Sequence, residues 1–349
     1  MITAAKTKKP WFVDSQNIWR RFHAASAIEP VSAPVPSSLL ASEVAALPNR
    51  CLLAASNGLE VYVAPAPLIP NLLREIGRLR ELTFRQVGEG TGRAYDLDRF
   101  DATYLHLFAW NPVTQEVAGA YRVADVGAVT RLHGLHGLYT ATLFRYDTRF
   151  LTQLGGALEL GRSFIRPEYQ RKPASLLMLW RGIGAYVARN PSCPVLFGPV
   201  SISREYSQDA RQVMVSFLQT RLRHDGRSAP VRPRHRFRGP LLRGWALRRL
   251  ASGLENVDEL DEVVRAMTGK PGIPILLRHY LQIGGRVAEF NVDPTFSSVL
   301  DALIVVDLRQ TGPRHLQRYL GKEQAASFLR YHGQLPSPSA LEAPVSPRA

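Results

Sequence analysis

Helices are predicted wherever apolar residues recur every three or four positions along the chain. The clearest case is Pro70–Gln86, in which Leu72, Ile76 and Leu79 fall close to one helical face. Leu176–Arg189 shows the same spacing and is followed by Asn190-Pro191, where the proline stops a helix. Further helices are predicted at Thr148–Leu154, Tyr206–Arg223, Val257–Met267 and Pro274–Gln282, and from about Pro313 to Arg330.

Strands are predicted in the apolar or alternating runs between these helices. Thr103–Trp110 and Glu116–Val123 are separated by a short segment that begins with Asn-Pro, which is typical of a hairpin. The other predicted strands are Leu59–Val63, Gly137–Leu143, Leu158–Ile165, Pro194–Ile202, Arg286–Asn291 and Ala302–Asp307. This order of elements predicts an α/β (α+β) fold with a central mixed, largely antiparallel sheet flanked by helices.

The composition changes at both ends of the chain and once in its interior. Residues 1–68 are rich in Ala, Pro and Ser, and we expect a loosely structured N-terminal extension there. Residues 69–332 are expected to form one domain, with an Arg-rich insertion at about 224–250 in which three prolines prevent a continuous helix. Residues 333–349 have the composition of a disordered tail.

The charge of the chain limits the class of partner. With 44 basic and 29 acidic residues the formal net charge is +15, which favours nucleic acid, an anionic membrane or an acidic protein. Only six of the basic residues are Lys, so the surface is suited to bidentate contacts with phosphates and carboxylates. The basic charge is most concentrated over residues 204–249, which carry twelve Arg against three acidic residues.

Cysteine usage and hydropathy predict a cytoplasmic protein. Cys51 and Cys193 are the only cysteines, which excludes a disulfide framework and a multi-Cys zinc cluster. A metal at the His133–His136 run is a weak alternative, because no cysteine or carboxylate pair accompanies the histidines. Neither a signal peptide nor an apolar run long enough to span a membrane is evident.

Several catalytic motifs are absent. None of the nine His has an Asp five positions later, and there is no Gly-x-Ser-x-Gly elbow of the α/β-hydrolase type. A P-loop and a Gly-x-Gly-x-x-Gly fingerprint are also missing, so nucleotide phosphates have no evident cradle.

The segment Ala157–Arg171 carries the most informative pattern. It places Glu159 and Arg162 three residues apart in a run that otherwise predicts a buried strand. In a regular strand these two side chains would point to opposite faces, so both reach one cavity only if the strand bulges or splays. A surface ion pair beside an edge strand is the alternative.

Together with other segments, this pattern resembles a branch of the GNAT superfamily. The branch comprises bacterial ornithine-lipid N-acyltransferases, haemolysin-like acyltransferases and, more distantly, acyl-homoserine-lactone autoinducer synthases. The segments that carry the resemblance are LRELTF (79–84), YDLDRFD (95–101), HLFAWN (106–111), VAGAYRV (117–123), ELGRSFIRPEYQR (159–171), LFGPVSIS (196–203) and FNVDPTFSSVLDALIVVDL (290–308).

The resemblance implies a charged acceptor side and an apolar acyl tunnel. Glu159, Arg162 and Arg122 are the implied catalytic residues, with Glu159 as the base that deprotonates the acceptor amine. The implied substrate-binding residues are Asp98, Asp101, Arg171, Lys172, Phe164 and Trp180, of which the two aromatic ones, with Leu177, Leu179 and Phe197, are candidates for the tunnel. Asp98 and Asp101 bracing their own loop, Arg122 acting as their structural partner, and ordinary core packing of the apolar residues are the alternatives.

One departure from the GNAT pattern concerns the donor. The turn that usually holds the coenzyme A pyrophosphate corresponds here to Gln170–Ser175, which has no Gly and contains a Pro without an N–H. An acidic acyl carrier protein is therefore the expected donor, with acyl-coenzyme A as the alternative, and no bound cofactor is expected.

The function expected from the resemblance is transfer of a (3-hydroxy)fatty acyl group from acyl carrier protein to the α-amine of an amino acid such as ornithine. An acyl-homoserine lactone or another N-acyl amino acid is the alternative product, and an Arg-rich nucleic-acid-binding module is the alternative of another class. Peripheral contact with the anionic inner face of the cytoplasmic membrane is compatible with the same charge.

Overall fold

The computed structural model describes residues 28–170, 173–224, 231–241, 243–269 and 272–335. The strands are β1 (Leu52–Ser56), β2 (Leu59–Pro65), β3 (Leu105–Asn111), β4 (Glu116–Asp125), β5 (Phe144–Tyr146), β6 (Ala157–Ile165), β7 (Val195–Ile202), β8 (Val231–Pro233), β9 (Arg286–Asp293) and β10 (Val299–Asp307). The helices are α1 (Ser37–Ala46), α2 (Pro70–Gln86), α3 (Val126–His133), α4 (Thr148–Leu154), α5 (Pro167–Gln170), α6 (Pro173–Arg189), α7 (Gln208–Arg221), α8 (Gly244–Ser252), α9 (Val257–Thr268), α10 (Ile275–Gln282), α11 (Pro313–Leu320) and α12 (Lys322–Tyr331).

Eight strands form one sheet in the order β1-β2-β3-β4-β6-β7-β10-β9, and β5 pairs with β8 separately. Every neighbouring pair in the large sheet is antiparallel except β6 and β7, which are parallel. The predicted mixed, largely antiparallel sheet with flanking helices is therefore confirmed.

The two faces of the sheet are covered by different elements. On one face α6 packs against β1 to β4, and its apolar residues join the largest core cluster together with Leu107 and Ala109 of β3. On the other face α2 packs over Phe108 and Trp110, the intervening residues of β3. The alternation of β3 thus serves two cores, as expected for a strand that is buried on both sides.

Strand β6 is distorted where the sequence requires it to be. Two of its residues, Arg162 and Ser163, stand opposite the single residue Tyr121 of β4, which defines a β-bulge. Arg162 has a φ of 49°, in the left-handed region that non-glycine residues rarely occupy. The bulge returns Arg162 to the face of the sheet that carries Glu159, so the predicted distortion is confirmed.

Strands β6 and β7 also separate close to this bulge. Their parallel ladder ends at the pair Glu159 and Phe197, although both strands continue beyond it. Pro199 follows in β7 and has no N–H to offer to a ladder. Part of the backbone of β6 beyond Glu159 therefore faces a gap between the strands.

Several expectations about secondary structure are wrong. Within residues 1–68, the predicted strand at Leu59–Val63 is confirmed as β2, but the segment before it is not loose: it contains α1 and β1, whose residues Leu40 and Leu53 are buried. Residues 1–27 of the predicted extension lie outside the described residues. Gly137–Leu143 forms two short 3-10 helices instead of a strand. The C-terminal helical stretch is divided at Gly321, which has a φ of 88° and ends α11.

The Arg-rich segment 224–250 is only partly a loop. It contains β8 and most of α8, which packs against α7 and so keeps one side of the segment ordered despite its prolines. Residues 225–230 and 242 lie outside the described residues, as do all but the first three residues of the predicted tail at 333–349. No helix in the described ranges is long and apolar enough to cross a membrane.

Candidate active site

A buried ion-pair network is built on the loop that precedes β3. Asp98 caps the turn Arg99–Ala102 by accepting a hydrogen bond from the Phe100 N–H, and Asp101 accepts one from the Asp98 N–H. Arg122 of β4 donates to Asp98 at 2.6 Å and lies 3.3 Å from Asp101. The predicted grouping of Arg122 with both aspartates is thus present in the structure.

Helix α2 adds a second arginine to this network. Its Arg80 is fully buried and donates to Asp101 at 2.7 Å. Burial alone would raise the pKa of Asp101, but Arg80 and Arg122 outweigh it and hold that pKa well below its usual range. Asp101 is therefore ionised, and it is enclosed together with both arginines, which suits these residues to bracing the loop.

Arg162 occupies a different environment at the bulge. Its guanidinium lies 3.2 Å from Asp96 and 3.7 Å from Asp98. Its Cζ also lies 4.9 Å from the ring centroid of Tyr139 and 4.8 Å from that of Phe296, within cation–π distance. Its side chain is 12% exposed and that of Asp98 is 20% exposed, whereas the side chain of Arg122 is fully buried. Arg162 and Asp98 are therefore the charged pair of this network that a small molecule can reach.

Glu159 is held by partners that the sequence did not indicate. Its carboxylate accepts hydrogen bonds from the Tyr104 hydroxyl and, at 2.6 Å, from the Thr140 N–H, and the residue is 1% exposed. Arg122 and Arg162, the other two implied catalytic residues, form ion pairs with aspartates and not with Glu159. Burial raises the pKa of Glu159 above its usual value, against the lowering effect of these hydrogen bonds.

The hydrogen bonds of Glu159 also fix the segment above it. The hydroxyl oxygen of Tyr104 accepts from the Tyr139 N–H at 2.8 Å and lies 3.2 Å from the carbonyl oxygen of Gly137. This places the Tyr139 ring against the guanidinium of Arg162. Sequence reasoning missed both tyrosines: the segment 137–143 was predicted as a strand, and nothing near Tyr104 in the chain indicates that it meets Glu159.

Two further carboxylates, also missed from the sequence, lie near Arg162. Glu89, in the loop after α2, accepts a hydrogen bond from Ser201 of β7 at 2.8 Å, and burial raises its pKa to about 6. Asp301 of β10 is cross-strand to Ser201, and burial raises its pKa well above the usual value. The sequence did contain a signal for Asp301, because it is an ionisable residue inside the apolar run VLDALIVV (299–306).

The apolar residues predicted to line one acyl tunnel do not lie together. Phe164 belongs to the core cluster beneath α2, whereas Trp180 of α6 is buried on the opposite face of the sheet, beside Tyr280 and Tyr319. Phe197 belongs to a third cluster. A single tunnel lined by these three aromatic side chains is therefore wrong, because the sheet separates Phe164 from Trp180.

The donor turn is only partly described. Arg171 and Lys172 lie outside the described residues, and so their predicted roles stay predictions. Ser175, in the first turn of α6, is 1% exposed and its hydroxyl has no hydrogen-bond partner among the described residues. No cluster of three or more potential metal ligands occurs within the described ranges, and His133 is exposed.

The geometry is suited to a zwitterionic ligand. A planar guanidinium at Arg162 matches a carboxylate, and the exposed oxygen of Asp98 beside it matches an ammonium group. The gap between β6 and β7 lies at the same level of the sheet.

Comparisons with known proteins match part of this chain to one family and to several acyltransferases. The sequence model described as "Acetyltransferase (GNAT) domain" matches residues 79–181, which include β3, β4, the bulged β6 and the first part of α6. A glycine N(alpha)-acyltransferase of Phocaeicola vulgatus is 34% identical over 203 residues, covering 55% of this chain and 62% of that protein. An L-ornithine N(alpha)-acyltransferase of Rhodobacter capsulatus is 28% identical over 263 residues, covering 71% and 90%.

The chain spans about three fifths of the length of the glycine acyltransferases that it matches. Among solved structures, FeeM, an N-acyl amino acid synthase from uncultured soil microbes, covers 56% of this chain and 98% of its own at 14% identity. Its TM-score of 0.28 is too low to support an argument. The predicted resemblance is supported by the family match and the sequence relatives: residues 79–181 match the model of the GNAT acetyltransferase domain, and the chain is similar to amino acid N(alpha)-acyltransferases.

Proposed function

We propose that this protein is an N-acyltransferase that moves a fatty acyl group from a thioester to the α-amine of an amino acid. The C–S bond of the thioester breaks, a C–N bond forms, and the thiol and one proton are released. The observation that carries the proposal is the reachable Arg162–Asp98 pair, set by a bulge where β6 leaves β7 inside the GNAT-matched region. The glycine and ornithine acyltransferases named above are consistent with an amino acid acceptor.

In this proposal Arg162 binds the carboxylate of the acceptor and Asp98 binds its ammonium group. A guanidinium holds a carboxylate through two parallel hydrogen bonds, which fixes the orientation as well as the position of the ligand. Tyr139 and Phe296 limit the motion of Arg162 by packing their rings against its guanidinium. Arg122 and Asp101 support this pair from beneath and do not contact the acceptor.

The acceptor amine must lose a proton before it attacks, and we assign the base role to Glu159. Both oxygens of Glu159 already accept hydrogen bonds, one of them from the Tyr104 hydroxyl. The proton would therefore pass from the amine to the Tyr104 oxygen, while the hydroxyl proton of Tyr104 passes to Glu159. The oxyanion of the tetrahedral intermediate would be stabilised by backbone N–H groups of β6 at the gap beyond Glu159. No covalent acyl-enzyme is needed.

We propose acyl carrier protein as the donor, docked on the basic surface around β8 and α8. Arg236, Arg238 and Arg248 are exposed there and form no ion pair with another described residue. Leu241 and Trp245 are fully and 65% exposed beside them, which provides an apolar centre within a basic rim. Arg171 and Lys172 would extend the basic charge toward the start of α6. An anionic membrane is the competing occupant of this surface.

Purified protein incubated with 3-hydroxyacyl carrier protein and a panel of amino acids tests the proposal. We expect release of the free carrier thiol that depends on the amino acid, and an N-acyl amino acid detected by mass spectrometry. Its acyl group identifies the donor preference when acyl-coenzyme A is supplied in parallel. Absence of thiol release with every amino acid and both donors would overturn the proposed activity.

Arg162→Lys refines this test, with Arg166→Lys as the matched control. Lysine keeps the charge but loses the fork of the guanidinium, so we expect the KM for the amino acid to rise about tenfold or more. Arg166 lies just beyond the same strand and pairs with Glu116 and Glu168, so its replacement should leave that KM unchanged. Equal effects of the two variants would contradict the assignment of Arg162.

A further inference from the structure

A cleft lies where the second half of helix α6 meets strand β1 and the junction of α11 with α12. Its volume is about 470 Å³, which is within the usual range for small-molecule sites. Arg181 and Arg189 of α6 line it, together with Arg318 of α11. None of the side chains assigned above to the acceptor site lies in its walls.

A close crossing of two helices brings two of these arginines together. A Cβ at Gly184 of α6 would lie 2.4 Å from the carbonyl oxygen of Tyr319 in α11, so glycine is the residue that permits this approach. Arg181 comes three residues before Gly184, and Arg318 comes directly before Tyr319. The crossing therefore places both arginines beside the same cleft.

The third arginine is held in place by the backbone. Arg189 follows Arg181 by about two helical turns, which puts both on one side of α6. Its guanidinium donates to the carbonyl oxygens of Arg50 at 2.8 Å and Leu52 at 2.7 Å. These carbonyls carry no net charge, so they fix the position of Arg189 without neutralising it.

The positive charge of the cleft has no counter-charge in the protein. Within the described ranges, no Asp or Glu lines the cleft, and none of its three arginines forms an ion pair. Like charges held beside one cleft repel each other, and an anion bound among them offsets this repulsion. The cleft is therefore complementary to an anionic ligand.

The chemistry of the walls favours a phosphate group over a carboxylate. A phosphate monoester carries about 1.5 to 2 negative charges at pH 7 and has three acceptor oxygens, which suits several guanidinium groups at once. Gln317 and Gln324 add neutral N–H donors at the junction of α11 with α12. The cleft is also lined by apolar side chains that suit an organic substituent, namely Leu53, Ala185 and Leu320.

We infer that this cleft binds a phosphate monoester through Arg181, Arg189 and Arg318. The phosphate oxygens accept hydrogen bonds from the guanidinium groups, and the organic part of the ligand lies against the apolar wall. The same phosphate chemistry occurs in soluble esters and in lipid headgroups. These two sources differ in whether the ligand is bound from solution or from a membrane surface.

The cleft is separate from both surfaces used in the proposed function. Leu158 and Leu160 belong to the core cluster packed against α6, so Glu159 between them faces the other side of the sheet. The donor surface contacts β9 through β8, whereas the cleft contacts β1. These strands are the two edges of the eight-stranded sheet, about 30 Å apart. Binding at the cleft is therefore independent of the proposed acyl transfer.

Two probes with the same headgroup test the site and its source of ligand. Glycerol 3-phosphate presents the phosphate in solution, and vesicles of phosphatidic acid in phosphatidylcholine present it on a membrane. Calorimetry and co-sedimentation of the full chain at low salt measure the two. We expect saturable binding of at least one probe, and none of glycerol, which lacks the phosphate.

The variant Arg181→Gln should weaken this binding by about tenfold or more, because hydrogen bonds to charged groups are the strong ones. Arg181 forms no hydrogen bond or ion pair with another described residue, so we expect the variant to fold, which thermal unfolding checks. Arg318→Gln replaces it if it does not fold, with the same loss expected. Arg314→Gln is the matched control, since Arg314 is exposed one turn before Arg318 and does not line the cleft.

The pattern of losses decides between the outcomes. Binding of glycerol 3-phosphate that depends on Arg181 supports the site with a soluble ester as its ligand. Binding confined to the vesicles that depends on Arg181 supports the site with a lipid headgroup as its ligand. Equal losses in Arg181→Gln and Arg314→Gln would reflect general attraction to the basic chain and would overturn the inference, as would the absence of binding to both probes.

Discussion

Arg122 and Arg162 carry the same chemical group, yet their burial separates their roles. The side chain of Arg122 is fully enclosed by Asp98, Asp101 and three aromatic rings, whereas that of Arg162 is 12% exposed. An enclosed guanidinium cannot meet a ligand without opening the core, so Arg122 stabilises the loop and Arg162 is available for binding. Charge type alone does not distinguish the two; their exposure does.

Replacing Glu159 with Gln tests whether this residue is the base. Gln can keep both hydrogen bonds, because the Tyr104 hydroxyl can accept as well as donate, so we expect the fold to survive. The loss of the proton acceptor should lower kcat by roughly a hundredfold or more, in line with general-base contributions. Single-turnover acyl transfer at neutral pH, with unfolding curves for both proteins, measures the two effects.

Tyr104→Phe is the companion variant for this prediction, since it keeps the carboxylate and removes the hydroxyl through which the proton would pass. If Glu159→Gln transfers the acyl group at nearly the wild-type rate, Glu159 serves only to hold the segment 137–140, and the base assignment is wrong.

The raised pKa of Glu89 leads to a second prediction for a single residue, which concerns the pH dependence of the stability of the protein. Burial raises its pKa from 4.5 to about 6, so the folded protein holds this proton more tightly than the unfolded chain. Stability from this group is therefore complete below pH 4.5 and is lost as the pH rises to about 6. The stability of the wild type relative to Glu89→Gln should fall by roughly 2 kcal/mol between pH 4 and pH 7.

Urea unfolding of both proteins across this range measures the difference. Glu323→Gln, at an exposed position of α12, should show no such trend. A constant difference between wild type and Glu89→Gln from pH 4 to pH 7 would show that the Glu89 carboxyl is not perturbed by burial.

At the level of secondary structure, the site depends on the bulge in β6 and on the divergence of β6 from β7. The bulge gives Arg162 a left-handed backbone conformation, and residues in such strained conformations persist only where the surrounding structure holds them. The ladder between the strands ends at Glu159 and Phe197, but the next residues are still in close contact, because a Cβ at Gly198 of β7 would overlap the carbonyl oxygen of Leu160. The strands therefore diverge only beyond Leu160 and Gly198.

Gly198→Ala should therefore force β6 and β7 apart at this point. Overpacking of this kind typically costs about 1–3 kcal/mol, and we expect a loss of stability in that range together with slower acyl transfer. Gly161→Ala is the matched control, because a Cβ there meets nothing within 4 Å. Chemical denaturation of both variants measures the effect, and equal midpoints for the two would refute the close approach of the strands.

At the scale of the whole molecule, part of the net charge of +15 is concentrated on the basic surface around β8 and α8. Changing Arg236, Arg238 and Arg248 together to Glu should raise the KM for acyl carrier protein and leave the KM for the amino acid unchanged. Rim charges act mainly on the association rate, and wild-type activity should decline with added salt because of screening over about 8–10 Å. Arg234 is kept, because it donates to the carbonyl of Ala141 and supports the fold.

The control reverses three exposed arginines elsewhere, Arg314, Arg318 and Arg330 of α11 and α12, with the same change of net charge. It should leave the KM for the carrier unchanged, measured over a range of salt concentrations. If the first triple variant keeps its donor kinetics but no longer co-sediments with anionic vesicles, the surface binds a membrane and the donor assignment is wrong.

The sequence by itself determined the local elements. The bounds of α2 at Pro70–Gln86 and of α4 at Thr148–Leu154 follow from spacing and turn residues, and the hairpin of β3 and β4 from alternation around Asn-Pro. The sequence also indicated that Glu159 and Arg162 could share one face only if the strand bulged or splayed there, because a period of two otherwise points them to opposite faces. These features depend on residues close together in the chain.

Only the tertiary structure decided which distant groups meet. Glu159 bonds to Tyr104 and Thr140, Asp301 lies across from Ser201, and the sheet separates Phe164 from Trp180. Periodicity fixes the face to which a side chain points, whereas its partner depends on strand order and on how loops cover that face. Exposure and pKa depend on the whole surrounding volume, and for that reason the difference between Arg122 and Arg162 could not be predicted from their positions in the chain.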